Sequence, residues 1–159
     1  MVRVGILTVS DRSSRGERPD ASGPALAEAA ARRGWSVAAR ATVPDEAAAI
    51  SACLRRWCEG PPAVDLVLTT GGTGLGPRDV TPEATREVLE KELPGFSERM
   101  RREGEKSSPH AALSRGLCGA RGRTLILNLP GSPRGCVESL ETVAGLVPHA
   151  LLMLAGEGH

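Results

Sequence analysis

The sequence predicts an α/β fold with three layers, in which helices cover both faces of a mixed, mostly parallel sheet. Two observations lead to this prediction. Short apolar runs bounded by turn residues recur along the chain, at 4–9, 37–43, 64–68 and 124–129. Helical patterns fill the intervals between these runs, which is typical of strands joined by helical crossovers. The length of 159 residues corresponds to one domain, which we assign to residues 1–159.

Apolar side chains at helical spacing mark the first two helices. Small and apolar residues after Gly23 predict a helix that ends near Gly34, where glycine suits a left-handed cap. The second helix follows Asp45, and its apolar positions recur as far as Trp57. A third helix is predicted to begin at Thr81, with Thr81 as the N-cap and a proline and an acidic residue directly after it.

The second half of the chain adds a hairpin and further helices. Segments 113–120 and 124–129 are predicted as antiparallel strands joined by a tight turn at Arg121-Gly122. This hairpin supplies the one antiparallel pair that makes the predicted sheet mixed. The remaining helices are predicted at 95–105, 137–146 and 149–154.

Charge and composition argue against two classes of partner. The chain carries 20 basic and 19 acidic residues, and its two tryptophans and one phenylalanine leave few rings for stacking on bases. We therefore expect no nucleic-acid partner. The longest apolar run, 143–155, is interrupted by Pro148 and is too short to span a bilayer, so we expect no membrane partner.

The cysteines and the N-terminus indicate the compartment. The four cysteines, at positions 53, 58, 118 and 136, lack C-x-x-C spacing and are too sparse for a disulfide scaffold. Residues 1–7 enter a strand directly, without the basic and apolar regions of a signal peptide. We expect reduced thiols and a cytoplasmic protein.

Three loops are the candidate functional positions, because ligands of open α/β sheets bind beyond the carboxyl ends of the strands. Ser10 and Asp11 follow the first apolar run. A glycine-rich segment at 69–79 follows the third run, and residues 128–133 follow the fourth.

The glycine-rich segment offers backbone amides and threonine hydroxyls ahead of a helix N-terminus, which suits a phosphate or another anion. It is not a Walker A loop, since no Gly-Lys-Ser/Thr follows, and it does not fit G-x-G-x-x-G in register. The segment is therefore either an anion-binding loop or a tight turn between a strand and a helix.

Asp79 ends this segment. A carboxylate beside an anion-binding loop would repel the ligand unless a cation lay between them, so Mg²⁺ bridging Asp79 and a phosphate is one interpretation. The other is that Asp79 pairs with Arg78 or caps the following helix. Asp45 is a second metal candidate, with a helix cap as its alternative role.

A series of motifs resembles the MogA/MoaB family of molybdenum cofactor synthesis, which is related to the G domain of gephyrin. The motifs are TVSDR at 8–12, PDE at 44–46, LTTGGTG at 68–74, PRDVTPEAT at 77–85, LPGF at 93–96, LSR at 113–115 and LNLPGSP at 127–133. Any one of them is weak evidence. Together they run in order over nearly the whole chain, and such a series is specific.

The resemblance implies a three-layer α/β/α fold, usually a trimer, that binds molybdopterin. For the active branch it implies Mg²⁺-dependent transfer of AMP from ATP to the terminal phosphate of molybdopterin, with release of pyrophosphate. A phosphate monoester is already an anionic nucleophile, so this reaction needs no histidine or cysteine base. The implied partners are molybdopterin, ATP, further copies of the chain and other molybdenum cofactor synthesis enzymes.

Site residues are carried over by the same resemblance. Asp79 and Asp45 fall on the family's catalytic, metal-associated aspartates. The implied substrate- and nucleotide-binding positions are Ser10, Asp11, Thr70, Gly71, Gly72, Thr73, Gly74, Ser114, Asn128, Pro130, Gly131 and Ser132.

The family also contains members with little or no adenylylation activity. The motif Asp20-Ala21-Ser22-Gly23 is similar to the MoaB-like branch, whereas Asn128-Leu129-Pro130-Gly131 is more similar to the MogA-like one. Because both aspartates are present, we favour the enzyme. The alternative is a non-catalytic molybdopterin-binding or carrier protein, and a generic Mg²⁺-dependent NTPase is disfavoured by the missing P-loop lysine.

Overall fold

One six-stranded sheet organises the computed structural model, which describes residues 1–61 and 63–157. Its strands are β1 (Arg3–Val9), β2 (Ser36–Val43), β3 (Leu66–Thr70), β4 (Lys91–Glu92), β5 (Cys118–Arg121) and β6 (Thr124–Leu129). The strand order is β2-β1-β3-β6-β5-β4. Strands β2, β1, β3 and β6 are parallel, and β5 is antiparallel to both of its neighbours. The predicted mixed sheet is confirmed.

Helices cover both faces of this sheet. They are α1 (Asp11–Ser14), α2 (Ser22–Arg32), α3 (Ala47–Glu59), α4 (Thr81–Val88), α5 (Pro94–Gly104), α6 (Pro133–Val143) and α7 (Val147–Leu154), with 3₁₀ turns at Pro109–Leu113 and Ala144–Leu146. Successive side chains of β1 point to opposite faces, so Ile6 lies in the core under α2, α5 and α6, and Leu7 lies in the core under α3 and α4. The predicted three layers are confirmed.

Strand β3 extends further than the apolar pattern indicates. The sequence predicts a strand that ends at Leu68, but β3 continues through Thr69 and Thr70, both of them buried. Their hydroxyls are satisfied inside the fold: Thr70 Oγ1 donates to the Pro130 carbonyl at 2.6 Å, and Thr69 Oγ1 accepts from Asn128 Nδ2 at 3.0 Å. Polar residues can therefore continue a buried strand here, because each has a partner on β6 or the loop after it.

The predicted hairpin is confirmed only from residue 118 onward. The prediction of a strand over 113–117 is wrong, because the backbone there pairs with the glycine-rich segment: Arg115 N donates to Thr73 O at 2.9 Å. Residues 109–113 form a 3₁₀ turn instead. The short elements α1 and β4 were not predicted, and α6 and α7 begin at Pro133 and Val147, earlier than expected.

One helical stretch, Pro133–Leu154, is long and apolar enough to cross a membrane by length and composition alone. It consists of α6, a 3₁₀ turn and α7. Its inner side chains Cys136, Leu140 and Val147 belong to the core, so one side of this stretch packs on the sheet. That no membrane partner exists stays a prediction.

Candidate active site

The structure brings the three sequence-predicted loops together at one edge of the sheet. Strands β1, β3 and β6 are adjacent and parallel, so their carboxyl ends share that edge. Gly71, directly after β3, donates from its backbone N–H to the Leu129 carbonyl at 3.2 Å. A β-carbon at Gly71 would overlap the carbonyl oxygen of Val9, and one at Gly131 would lie 3.4 Å from Gly71 Cα. Gly71 is therefore the point of closest packing between the loops.

Thr81 fixes the glycine-rich segment instead of capping a helix. Its Oγ1 donates to the Gly71 carbonyl at 2.9 Å, and its backbone N–H donates to the Gly72 carbonyl at 3.1 Å. The prediction that Thr81 is the N-cap of α4 is wrong, because Val80 occupies that position and the Thr81 hydroxyl is used by the loop. The first turn of the glycine-rich segment is thereby tied to the start of α4.

Three aspartates and an arginine lie beside this segment. Asp11 and Asp45 hold each other reciprocally: Asp11 N donates to Asp45 Oδ2 at 2.9 Å, and Asp45 N donates to Asp11 Oδ1 at 3.0 Å. Arg78 donates from Nε and Nη2 to the two carboxylate oxygens of Asp11, each at 3.0 Å. The interpretation in which Arg78 pairs with Asp79 is therefore wrong. The alternative role of Asp45 as a helix cap is also wrong, because the N-cap of α3 is Glu46.

The carboxylates of this cluster differ in their electrostatics. The hydrogen-bonded Arg78 guanidinium holds the pKa of Asp11 below its ordinary value. Burial raises the pKa of Asp45, and the negative charges of Asp11 and Asp79 act in the same direction. Asp79 Oδ2 accepts from Gly76 N at 2.9 Å, which leaves its other oxygen for a ligand. Two carboxylates with little compensating charge make this a position that favours a cation.

Arg115 fixes the outer half of the glycine-rich segment through hydrogen bonds. Its Nε donates to the Gly74 carbonyl at 2.7 Å and its Nη2 to the Asp79 carbonyl at 2.9 Å. Its Nη1 donates to both oxygens of Glu83 on α4, at 2.8 and 2.9 Å. The donors of Arg115 therefore hold the loop to α4.

Replacing Arg115 with alanine is expected to lower the thermal unfolding midpoint by about 4–8 °C, since hydrogen bonds to a charged group contribute roughly 1.5–3 kcal/mol. Arg115→Lys should recover only part of the loss, because an ammonium group cannot reach three acceptors in one plane. Differential scanning calorimetry measures both effects. The control is Arg123→Ala, since Arg123 is an exposed residue of the hairpin turn. Equal decreases of the unfolding midpoint at the two positions would contradict a stabilising role for the hydrogen bonds of Arg115.

Two cavities flank the turn formed by residues 130–132. Cavity A, about 420 Å³, lies between the glycine-rich segment, the 3₁₀ turn and α6, and cavity B, about 330 Å³, lies between the ends of β1 and β3 and the start of α2. The wall of cavity A includes Thr73, Gly74, Ser114 and Pro130. The wall of cavity B includes Ser10, Thr70, Gly71 and Gly131. Ser132 borders both cavities, so ligands in A and B would meet at this turn.

The remaining predicted site residues lie deeper or farther along the loop. One side of the glycine-rich segment carries the carboxylates of Asp11, Asp45 and Asp79. Gly72 faces this side, since a β-carbon there would lie 3.1 Å from Asp45 Oδ1. Asn128 is 3% exposed, and Nδ2 donates to Thr69 and Thr85 while Oδ1 accepts from Leu117 N. The amide of Asn128 thus holds β6 and α4 together, and its predicted contact with a substrate stays a prediction.

Sequence reasoning missed several residues that line the cavities. Asp20 lies in cavity B, where it accepts from Thr8 Oγ1 at 2.8 Å and from Gly23 N at 2.9 Å, and Arg18 lines the same cavity. Glu138 and the exposed His110 lie in cavity A. The Asp-x-Ser-Gly motif at 20–23 was the available signal for the first group, whereas no local pattern distinguishes Glu138 from other charges on a helix surface.

Comparison with known proteins identifies relatives along almost the entire chain. The family model described as "Probable molybdopterin binding domain" matches residues 5–149. The molybdopterin adenylyltransferase of Helicobacter pylori strain J99 is 41% identical over 157 residues, which cover 98% of this chain and 89% of that protein. The molybdenum cofactor synthesis protein cinnamon of Drosophila melanogaster is 43% identical over 98% of this chain, which spans only 26% of its length.

A solved structure shows the same fold at higher identity. The crystal structure of the molybdopterin biosynthesis enzyme MoaB from Thermus thermophilus has a TM-score of 0.92 and 56% sequence identity. The match covers 98% of both chains. The arrangement of the sheet and helices is therefore that of a protein with a closely similar sequence.

Proposed function

The chain belongs to the family of molybdopterin-binding domains of molybdenum cofactor biosynthesis, and on this premise we propose that the protein is a molybdopterin adenylyltransferase. It transfers AMP from ATP to the terminal phosphate of molybdopterin. The observation that carries this proposal is the meeting of two cavities at the turn 130–132, which packs on Gly71 of the glycine-rich segment. The same segment passes Asp45 at Gly72 and Asp79 at Gly74. Transfer between two substrates needs two adjoining sites with a shared point of reaction.

We assign cavity A to the pterin and cavity B to the nucleotide. Cavity A is the larger, and Leu75, Ala111 and Leu113 give its wall apolar surface suited to a flat ring. Cavity B is lined by hydroxyl groups, the cation Arg18 and the backbone of Gly71, which suit the ribose and phosphates of a nucleotide. The Asp20 carboxylate also lines it and accepts from Thr8 Oγ1 and Gly23 N. The start of α6, with Ser132 as its N-cap, lies at the junction and favours phosphate there.

The reaction proceeds by attack of a terminal phosphate oxygen of molybdopterin on the α-phosphorus of ATP. A new P–O–P bond forms, the bond between the α-phosphorus and its bridging oxygen breaks, and pyrophosphate leaves with that oxygen. Because the nucleophile is already anionic, the chain's residues act by positioning the two phosphates and by compensating their charge. Residues 72–74 bring backbone amides close to this point, and Thr81 and Arg115 hold the segment there.

The donor set beside the glycine-rich segment fits Mg²⁺, which typically takes one or two carboxylates and completes its shell with phosphate oxygens and water. Asp45 and Asp79 would hold it. Within residues 1–61 and 63–157 there is no group of three or more His, Cys, Asp or Glu able to form an all-protein cage. When bound, the ion would supply charge compensation for the reacting phosphates.

A non-catalytic molybdopterin-binding protein is the second candidate. Two observations favour it: the Thermus thermophilus relative at 56% identity carries the MoaB name, and the Asp20-Ala21-Ser22-Gly23 motif is similar to that branch. In the structure this motif shapes cavity B, since Asp20 accepts from Thr8 and Ser22 Oγ donates to the Gly131 carbonyl at 2.6 Å. The motif therefore lies at the proposed nucleotide site. The adenylyltransferase must bind ATP there, whereas a non-catalytic molybdopterin-binding protein need not.

An assay with molybdopterin, ATP and MgCl₂ separates the candidates. An adenylyltransferase produces adenylylated molybdopterin and pyrophosphate in equal amounts, and only when all three components are present. A carrier binds molybdopterin in a titration without releasing pyrophosphate. Pyrophosphate or phosphate release without molybdopterin would identify an NTPase and contradict the proposal.

We also propose a cytoplasmic homotrimer. Leu146, Leu152 and Met153 are 47%, 47% and 48% exposed and give the C-terminal helices an apolar side that a second copy could cover. All four cysteines are free thiols, which suits a reducing compartment. Light scattering at micromolar concentration should report three times the mass of one chain. A single species with the mass of one chain would contradict the trimer and leave the adenylyl-transfer proposal intact.

A further inference from the structure

Glu138 is the one acidic side chain among the described residues of the wall of cavity A. It lies on α6 together with Gly135 and Ser139, which also line this cavity and which follow the spacing of one helix face. Arg134 Nε donates to Glu138 Oε1 at 2.7 Å, so the carboxylate is oriented by a neighbour on its own helix. The second oxygen, Oε2, and the remaining lone pair of Oε1 are available to a ligand.

A buried serine lies close to cavity A. A smaller cavity of about 40 Å³ shares Ala111, Ser114, Pro130 and Ser139 with cavity A. Ser97, only 4% exposed, lines the smaller cavity. Burial raises the pKa of the Cys118 thiol, and the nearby Ser97 hydroxyl lowers it. The smaller cavity thus extends the polar lining of cavity A toward the core.

We propose that Glu138 recognises the 2-amino-4-oxopyrimidine edge of the pterin, and this rests on the assignment of cavity A to the pterin. The N3–H and the 2-amino group of that edge are two parallel donors. A carboxylate accepts both, as it does from the fork of an arginine. Cavity A therefore selects a 2-aminopterin over a heterocycle with oxygen at C2, since such an oxygen would face the negative carboxylate.

The test compares two probes, 6-hydroxymethylpterin and 6-hydroxymethyllumazine, which differ only in the amino group or carbonyl at C2. Fluorescence titration of the wild-type protein is expected to show a clear preference for the pterin. In Glu138→Gln the pterin affinity should fall about tenfold to a hundredfold. The lumazine affinity should rise, because a glutamine amide donates to the C2 carbonyl and still accepts from N3–H.

Glu141→Gln is the matched control, since Glu141 lies on the same helix and pairs with Arg33 away from cavity A. It should bind both probes as the wild type does, and thermal unfolding shows whether each variant is folded. An unchanged preference for the pterin in folded Glu138→Gln overturns the proposal. Wild-type protein that binds neither probe overturns it together with the pterin assignment, whereas pterin binding without adenylylation contradicts only the enzymatic activity.

Discussion

Replacement of Asp79 with asparagine is expected to lower the rate of adenylyl transfer by at least about 10²–10³-fold, the usual effect of removing one group that compensates transition-state charge. Asparagine keeps an oxygen that can accept from Gly76 N, so the bend of the glycine-rich segment is retained. The affinity for molybdopterin should stay near the wild-type value or increase, because one negative charge next to the phosphate is removed. Single-turnover kinetics and a binding titration measure the two quantities separately.

The control for this experiment is Glu46→Gln, which removes an exposed carboxylate next to Asp45 at the start of α3. Its turnover should remain close to that of the wild type. Asp45→Asn should reduce turnover less than Asp79→Asn if Asp45 helps to hold the metal through water. The asparagine oxygen can still accept from Asp11 N, so this contact between the loops is retained. Near-normal turnover in Asp79→Asn would remove this carboxylate from the mechanism.

Local sequence patterns were sufficient to predict the layers of the fold, because each long helix or strand has its own periodic pattern of apolar residues. The helix α3 repeats Ile50, Leu54 and Trp57 on one face, and all three are buried. Elements without such a repeat were missed: β4 has two residues and α1 has four. Thr69 and Thr70 were placed outside the strand because polarity alone does not reveal that Asn128 and Pro130 would supply their hydrogen-bond partners.

The candidate site shows the same limit. The sequence predicted which loops would meet, since that follows from parallel strands sharing an edge. It could not predict that Arg78 pairs with Asp11, 67 residues away, or that Arg115 spans 41 residues to reach Gly74. Such pairings depend on how the loops pack after the sheet has formed. The composition of each loop was predictable, and the partner of each side chain was not.

Gly71 is the position where a single methyl group is expected to do most harm to the fold. Its φ is +100°, which L side chains rarely adopt, and a β-carbon would overlap the Val9 carbonyl oxygen. Backbone strain of about 1–2 kcal/mol and overpacking of about 1–3 kcal/mol together predict a loss of roughly 3 kcal/mol in the free energy of unfolding for Gly71→Ala. The unfolding midpoint should fall by about 10 °C, as measured by calorimetry.

Gly34→Ala distinguishes the cost of backbone strain from the cost of steric overlap, since Gly34 has a φ of +74° but no atom within 4 Å of the added carbon. It should show only the strain, about 1–2 kcal/mol. Equal losses at both positions would contradict the close packing at Gly71. Because the obstacle there is the backbone of β1, no rotamer change can relieve it; the ends of β1 and β3 must separate. Gly71→Ala should therefore also widen cavity B and weaken nucleotide binding, whereas Gly34→Ala should leave nucleotide affinity unchanged.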